Sequence, residues 1–119
     1  MISPEGRPIF LALADEIEDG ILAGTYAEDA AVPSTNELAL HRRINPATAG
    51  RALSELVDRG VVVKRRGIGM FVAVGAREAL RARRRAAFSE TFLSPLLAEA
   101  ARLGLSGEDL VALIRKQQS

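Results

Sequence analysis

Four cations carry the most legible chemistry of the chain: Arg51, and the run Lys64-Arg65-Arg66 that leads into Gly67-Ile68-Gly69. A guanidinium presents in-plane N–H donors that match a phosphate or the O6/N7 edge of guanine. A glycine turn lets backbone come close to such a partner. These cations are not isolated. Between Arg42 and Arg85 there are twelve Lys/Arg and three Asp/Glu, a local net of +9, while the remainder carries −8. The overall net of +1 therefore hides a polarised molecule, and such clustering is the electrostatic footprint of a face that binds a polyanion.

Other chemistries find little support. His41 is the only histidine, so neither a histidine metal cluster nor a distinctive Ser/His pair can form; followed by Arg42-Arg43, it reads as a surface or capping side chain. The carboxylates of 15–19 sit on a helix flank without the spacing of a catalytic pair. Gly67-Ile68-Gly69 lacks the third glycine and the βαβ setting of a nucleotide fingerprint. The expectation is a non-enzyme with no cofactor and no metal. Cysteine is absent, which removes disulfides and thiolate zinc sites and fits a cytoplasmic location. Four Phe and one Tyr are too few for a single-strand stacking surface. No apolar run approaches the ~20 residues of a membrane span, and the opening residues lack the apolar stretch of a secretory leader.

The elements that must position the cations are readable from periodicity and caps. Ile9, Leu13, Ile17 and Ile21 step by four and predict a helix over 8–23, with Pro8 in its first turn and Gly24 as its stop. Residues 24–33 read as a loop. Ser34 with Glu37 is a capping-box pattern for a second helix running to about Arg42. Asn45 caps a third helix, with Pro46 in its first turn, and Arg59-Gly60 ends it. Ala49, Ala52, Leu53, Leu56 and Val57 fall on one side of it; Ala47, Gly50, Arg51, Ser54 and Asp58 fall on the other. Residues 61–65 and 70–74 read as two strands joined through Gly67 and Gly69. From Ala76 to Leu103 the pattern is helical, with Pro95 expected to kink or split a segment of about 42 Å. Ser106 with Asp109 opens a last short helix. The fold class is mainly α with a small β-hairpin wing: a winged helix-turn-helix over 1–75, then a two-helix dimerisation region over 76–119.

Together, Pro33-Ser34-Thr35-Asn36-Glu37-Leu38-Ala39, Ile44-Asn45-Pro46-Ala47-Thr48-Ala49-Gly50-Arg51-Ala52-Leu53, Leu56, Gly60 and Arg66-Gly67-Ile68-Gly69-Met70-Phe71-Val72 resemble the winged helix-turn-helix of GntR-family bacterial transcriptional regulators. The likeness covers roughly residues 8–74. Asn45-Pro46-x-Thr48 followed by Arg51, with a short two-helix tail, is similar to the YtrA-type subfamily. The family usually places an Arg where Asn36 stands, and many members carry basic residues where Pro46, Ala47 and Gly50 stand. The resemblance implies DNA contacts from Ser34, Asn36, Asn45, Pro46, Ala47, Thr48, Gly50, Arg51, Lys64, Arg65, Arg66 and Gly67.

Residue chemistry points the same way. A recognition helix reads bases with its N-terminal turns. There Arg51 is the side chain able to grip guanine in two places, Ala47 suits a thymine methyl, and Gly50 permits close approach. The competing reading of Arg51 is an ion pair with Glu55 four residues on. For Lys64, Arg65 and Arg66 the competing reading is charge protecting a sheet edge. Arg77, Arg81, Arg83, Arg84 and Arg85 read as extra contacts to the DNA backbone, or else as a solvated face or as partners of acids such as Asp15 and Glu18 of the first helix or of a second subunit. Phe88, Phe92, Leu93, Leu96, Leu97, Leu103, Leu110, Leu113 and Ile114 are too many apolar residues for two small helices to hide. They predict a homodimer interface, the competing reading being packing back on the winged-helix domain. The expected function is a homodimeric, sequence-specific double-stranded-DNA-binding regulator, a repressor on a palindromic operator. A small-molecule effector between subunits would be an addition to it. The alternative is a winged helix that docks an acidic protein partner.

Overall fold

The computed structural model describes Ile2 and residues 6–119; of the opening residues read for a leader, 1 and 3–5 lie outside this range. The chain divides into two compact units, residues 1–81 and 82–119. Among the described residues no helix is long and apolar enough to cross a membrane.

The first unit holds α1 (Ile9–Ala23), α2 (Thr35–Arg42), α3 (Pro46–Asp58), β1 (Val62–Arg65), β2 (Gly69–Val72) and the start of α4 (Ala76–Phe88). The four-residue stripe of α1 buries Leu13, Ile17 and Ile21 against Leu38 of α2 and Ala49, Ala52, Leu53 and Leu56 of α3. Val61, Val62 and Val72 close the core from the hairpin, and Ala76 and Leu80 close it from α4. Val57, expected among the inner residues of α3, is exposed near the helix end. Pro8 is the residue before α1 rather than its first turn; its carbonyl accepts from Leu11 and Ala12.

Turn chemistry fixes how α3 leaves the core. The Val61 N–H donates to Leu56 O at 3.0 Å and the Gly60 N–H to Val57 O at 2.9 Å, with Gly60 at φ +77°. This is a Schellman motif, which needs a left-handed residue at that place. It delivers Val61 straight into the core and starts β1. The same pair of bonds ends α2, from Ile44 to Ala39 and from Arg43 to Leu40, but here Arg43 takes the left-handed conformation at φ +54°.

β1 and β2 pair antiparallel, Val62 with Val72 and Arg65 with Gly69. The segment before α2, expected as loop, adds a third antiparallel edge. Val32 N–H donates to Met70 O, Val72 N–H to Ala30 O, and Asp29 N–H to Val72 O, all within 3.0 Å. Too short to show alternation, it forms because β2 would otherwise leave an unpaired edge.

In the second unit Ser89–Leu93 form a π turn, followed by α5 (Ser94–Arg102) and α6 (Gly107–Gln118). The backbone stays helical past Pro95 instead of stopping. The Ser94 N–H reaches back five residues to Ser89 O. Pro95 has no N–H to donate and its ring crowds the preceding turn, so a turn widened by one residue accommodates it. α6 opens with the expected capping box: Ser106 N–H donates to Asp109 Oδ2 at 2.8 Å and Asp109 N–H to Ser106 Oγ at 3.1 Å.

Candidate nucleic-acid interface

The start of α2 is built by a capping box. Glu37 N–H donates to Ser34 Oγ at 3.1 Å, and Ser34 N–H donates to Glu37 Oε1 at 3.0 Å. That backbone N–H, with the Ser34 hydroxyl bond, holds the Glu37 carboxyl below its ordinary value. Ser34 is exposed at this helix start. Asn36 lies beside it, exposed.

Across from this helix start stands the wing. Ile68 N–H donates to Arg65 O at 2.9 Å, and Gly67, third in that turn, has φ +75°. A side chain there would be strained, which explains the glycine. Ser34, Asn36, Lys64, Arg65 and Gly67 line one open cleft of about 410 Å³. Two segments about thirty residues apart in sequence thus face one space. Arg65 is also anchored: it pairs with Asp29, and its guanidinium lies 4.2 Å over the Phe71 ring. It braces the wing against the 29–32 segment. Lys64, Arg66 and Gly67 are exposed.

α3 presents its first turns outward. Asn45 Oδ1 accepts from Ala47 N–H at 2.8 Å, so one orphan donor of α3 is satisfied. Asn45, Pro46, Ala47 and Arg51 are exposed; Thr48 and Gly50 are half-buried. A Cβ on Gly50 would lie 3.7 Å from Thr35 Cγ2, an ordinary contact. Packing alone therefore does not demand glycine there. Arg51 does not pair with Glu55. Its guanidinium lies 4.0 Å over the ring of Phe10, at the start of α1. Thr48 and Arg51 share a second cleft, of about 280 Å³, with Ile2, Pro8 and Phe10.

The other end of α3 is locked. Arg59 donates to Glu55 at 2.8 Å and to Asp15 at 3.0 Å, and lies 3.1 Å from Glu18. Burial alone would push this guanidinium down. Hydrogen bonds to Glu55 and Asp15 and the charge of Glu18 outweigh burial and push it above its ordinary value. The cluster ties α3 to α1. Beyond the wing, Arg77 donates to Leu22 O at 3.1 Å and Arg81 to Glu78 at 3.2 Å, so part of the basic run has internal partners. His41 is exposed in the last turn of α2, as expected for a surface side chain.

Of the apolar residues expected at a dimer interface, Leu110 is buried inside the second unit, with Ala100. The other eight, with Val111, are between 41% and 64% exposed. Phe88 and Phe92 rings sit 5.6 Å apart. Sequence reasoning missed Phe10 and Asp29 as partners of the candidate arginines. An aromatic in the first turn of α1 and an acid in a polar loop carry no signal of their own.

A three-helix unit whose third helix is followed by a β-hairpin, with cations at the hairpin and the helix start, defines a winged helix-turn-helix protein. The chain belongs to the gntR family of bacterial regulatory proteins, whose profile matches residues 11–72. It is 36% identical over 67 residues to the HTH-type transcriptional regulator YhcF of Bacillus subtilis, covering 56% of this chain and 55% of that one. The chain thus spans about half the length of that curated relative. A GntR family transcriptional regulator from Listeria monocytogenes superposes with a TM-score of 0.78 at 28% identity, covering 96% of this chain and 98% of that one. AraR(DBD), solved in complex with operator ORR3, matches 56% of this chain and 81% of its own, with a TM-score of 0.54 at 30% identity.

Proposed function

We propose that this chain is a sequence-specific double-stranded-DNA-binding transcriptional regulator of the YtrA-like type. In this reading it is a cytoplasmic homodimeric repressor acting on a palindromic operator. The observation that carries it is the convergence of Ser34, Asn36, Lys64, Arg65 and Gly67 on one cleft beside the outward-facing first turns of α3. An operator complex of the similar AraR(DBD) supports DNA as the ligand of such a face.

In this mechanism Lys64, Arg66 and the Ser34 hydroxyl hold phosphates and set register, while Arg65 keeps the wing in place. Thr48 and Arg51 meet base edges, with Ala47 and Gly50 allowing close approach. Residues 1–75 form the DNA-binding part and 76–119 the dimerisation part. The exposed apolar face of the second unit supports the dimer, because an uncovered patch of this kind marks an interface. Two recognition helices then enter successive major grooves about one turn apart and block that stretch to other proteins. A small molecule that changes the angle between subunits would switch affinity, since both half-sites must be engaged together.

The test is binding to the promoter directly upstream of the protein's own gene against a random duplex, across a salt series. Tighter promoter binding that weakens steeply with salt is expected, the slope counting the phosphates neutralised. Binding to neither duplex at low salt, with capture of an acidic protein instead, would replace this reading by a protein-docking module.

A further inference from the structure

We infer that Phe10 is a positioning residue for base recognition: its ring holds the Arg51 guanidinium in the pose from which it reads a base pair. The inference rests on the proposed function and extends the specificity determinants beyond the helix-turn-helix to the first turn of α1.

The geometry is specific. The guanidinium carbon of Arg51 lies 4.0 Å from the Phe10 ring centroid. Phe10 is half-buried and packs against the core of the first unit, so the ring is a fixed platform and not a second mobile chain. Glu55, the acid that helical spacing offers to Arg51, is bound to Arg59 instead. Arg51 is thus released from a carboxylate that would occupy its donors. Stacking uses the face of the guanidinium and leaves its in-plane N–H groups open, and a bidentate grip on guanine needs those in-plane donors. An exposed arginine otherwise samples many rotamers and loses that freedom on binding. A stacked one has lost part of it already. Thr48, one helical turn before Arg51, lines the same cleft and brings a second polar group to the site.

Phe10 carries no charge, so its removal leaves the phosphate contacts alone. Discrimination should fall while the salt dependence stays.

The experiment begins with a duplex that the wild-type protein selects from a randomised pool. Arg51→Ala locates the base pair whose substitution it no longer senses. Phe10→Leu, checked for folding by its melting curve, should lose roughly three- to tenfold in discrimination at that same pair, the size of a cation–π contact. Its salt slope should be unchanged, and Phe10→Tyr should restore discrimination. In the free wild-type protein the Arg51 side-chain protons should be shifted upfield by the ring, and Phe10→Leu should abolish that shift. Wild-type discrimination in Phe10→Leu, equal loss on selected and random duplexes, no rescue by Tyr, or no ring-induced shift would each overturn the positioning role alone. Failure to select any duplex, or an Arg51→Ala variant that still senses every base pair, would overturn the DNA-reading role beneath it as well.

Discussion

The first unit gathers most of its large apolar residues into one core, and the second leaves most of its own at the surface. Up to Arg81, α1 to α3, the hairpin and the first turns of α4 enclose a single core in which Ile21, Leu53, Leu56 and Leu80 are almost fully buried. From Ala82 onward only Ala100 and Leu110 are buried hydrophobics among the described residues, while Phe88, Phe92, Leu96, Leu97 and Leu103 remain in contact with solvent. The polar sides differ too. The first unit ties cations to distant acids, Arg59 to Asp15 and Arg65 to Asp29; the second pairs Arg102 with Glu99 one turn away. One unit is closed by its own tertiary contacts, and the other leaves an apolar face open.

The largest effect is expected at Arg59. Replacing Arg59 by Met leaves Asp15, Glu18 and Glu55 without their shared cation, with Glu18 buried. The expected loss is about 3 kcal/mol of unfolding free energy. Denaturant titration checks it, and the loss should not depend on protein concentration. The second unit should respond in the opposite manner. Phe92→Asp is expected to weaken self-association by about thirtyfold, or roughly 2 kcal/mol. Sedimentation would read this, with the melting of the first unit unchanged.

Gly50→Ala sharpens the division between stability and recognition inside the first unit. Thr35 leaves room for the new methyl. Helix stability should therefore rise by roughly 0.5–1 kcal/mol. If backbone approach to DNA is the reason for glycine, specific affinity should fall in the same variant. A thermal melt and a duplex titration separate the two effects.

The smallest effect is on pH. In each unit a capping carboxyl is held below its ordinary value by a serine backbone N–H, Glu37 by Ser34 and Asp109 by Ser106. A depressed folded value means the contribution is complete above the ordinary values of 4.5 and 3.8 and is lost as pH falls through the lower folded ones. Helix content followed by circular dichroism should be flat near neutrality and decline in acid, and Glu37→Gln should remove part of that decline.

What was legible in the sequence was local. The caps at Ser34/Glu37, Asn45/Pro46 and Ser106/Asp109 use partners within one helical turn, and each forms as spacing predicts. The hairpin followed from its glycines. What stayed hidden depends on partners many residues away. Arg65 is recognisable as a wing cation, but Asp29 is 36 residues distant. The pairing of 29–32 with β2 depends on the fold already being in place. Arg51 offered Glu55 as its obvious neighbour, and the tertiary structure gave Glu55 to Arg59 and the Phe10 ring to Arg51. Leu110 could not be told from its exposed neighbours, because the choice of inner face in a short helix is made by packing. Pro95 signalled a break, yet one π turn absorbs it.

The most direct test is a spacing experiment on a selected palindromic duplex. One dimer per duplex is expected. Inserting about 5 bp between half-sites should abolish tight binding, because half a turn puts the second groove on the far side, and about 10 bp should restore part of it. Binding by a single chain, unaffected by either insertion, would overturn the proposed dimer on two half-sites.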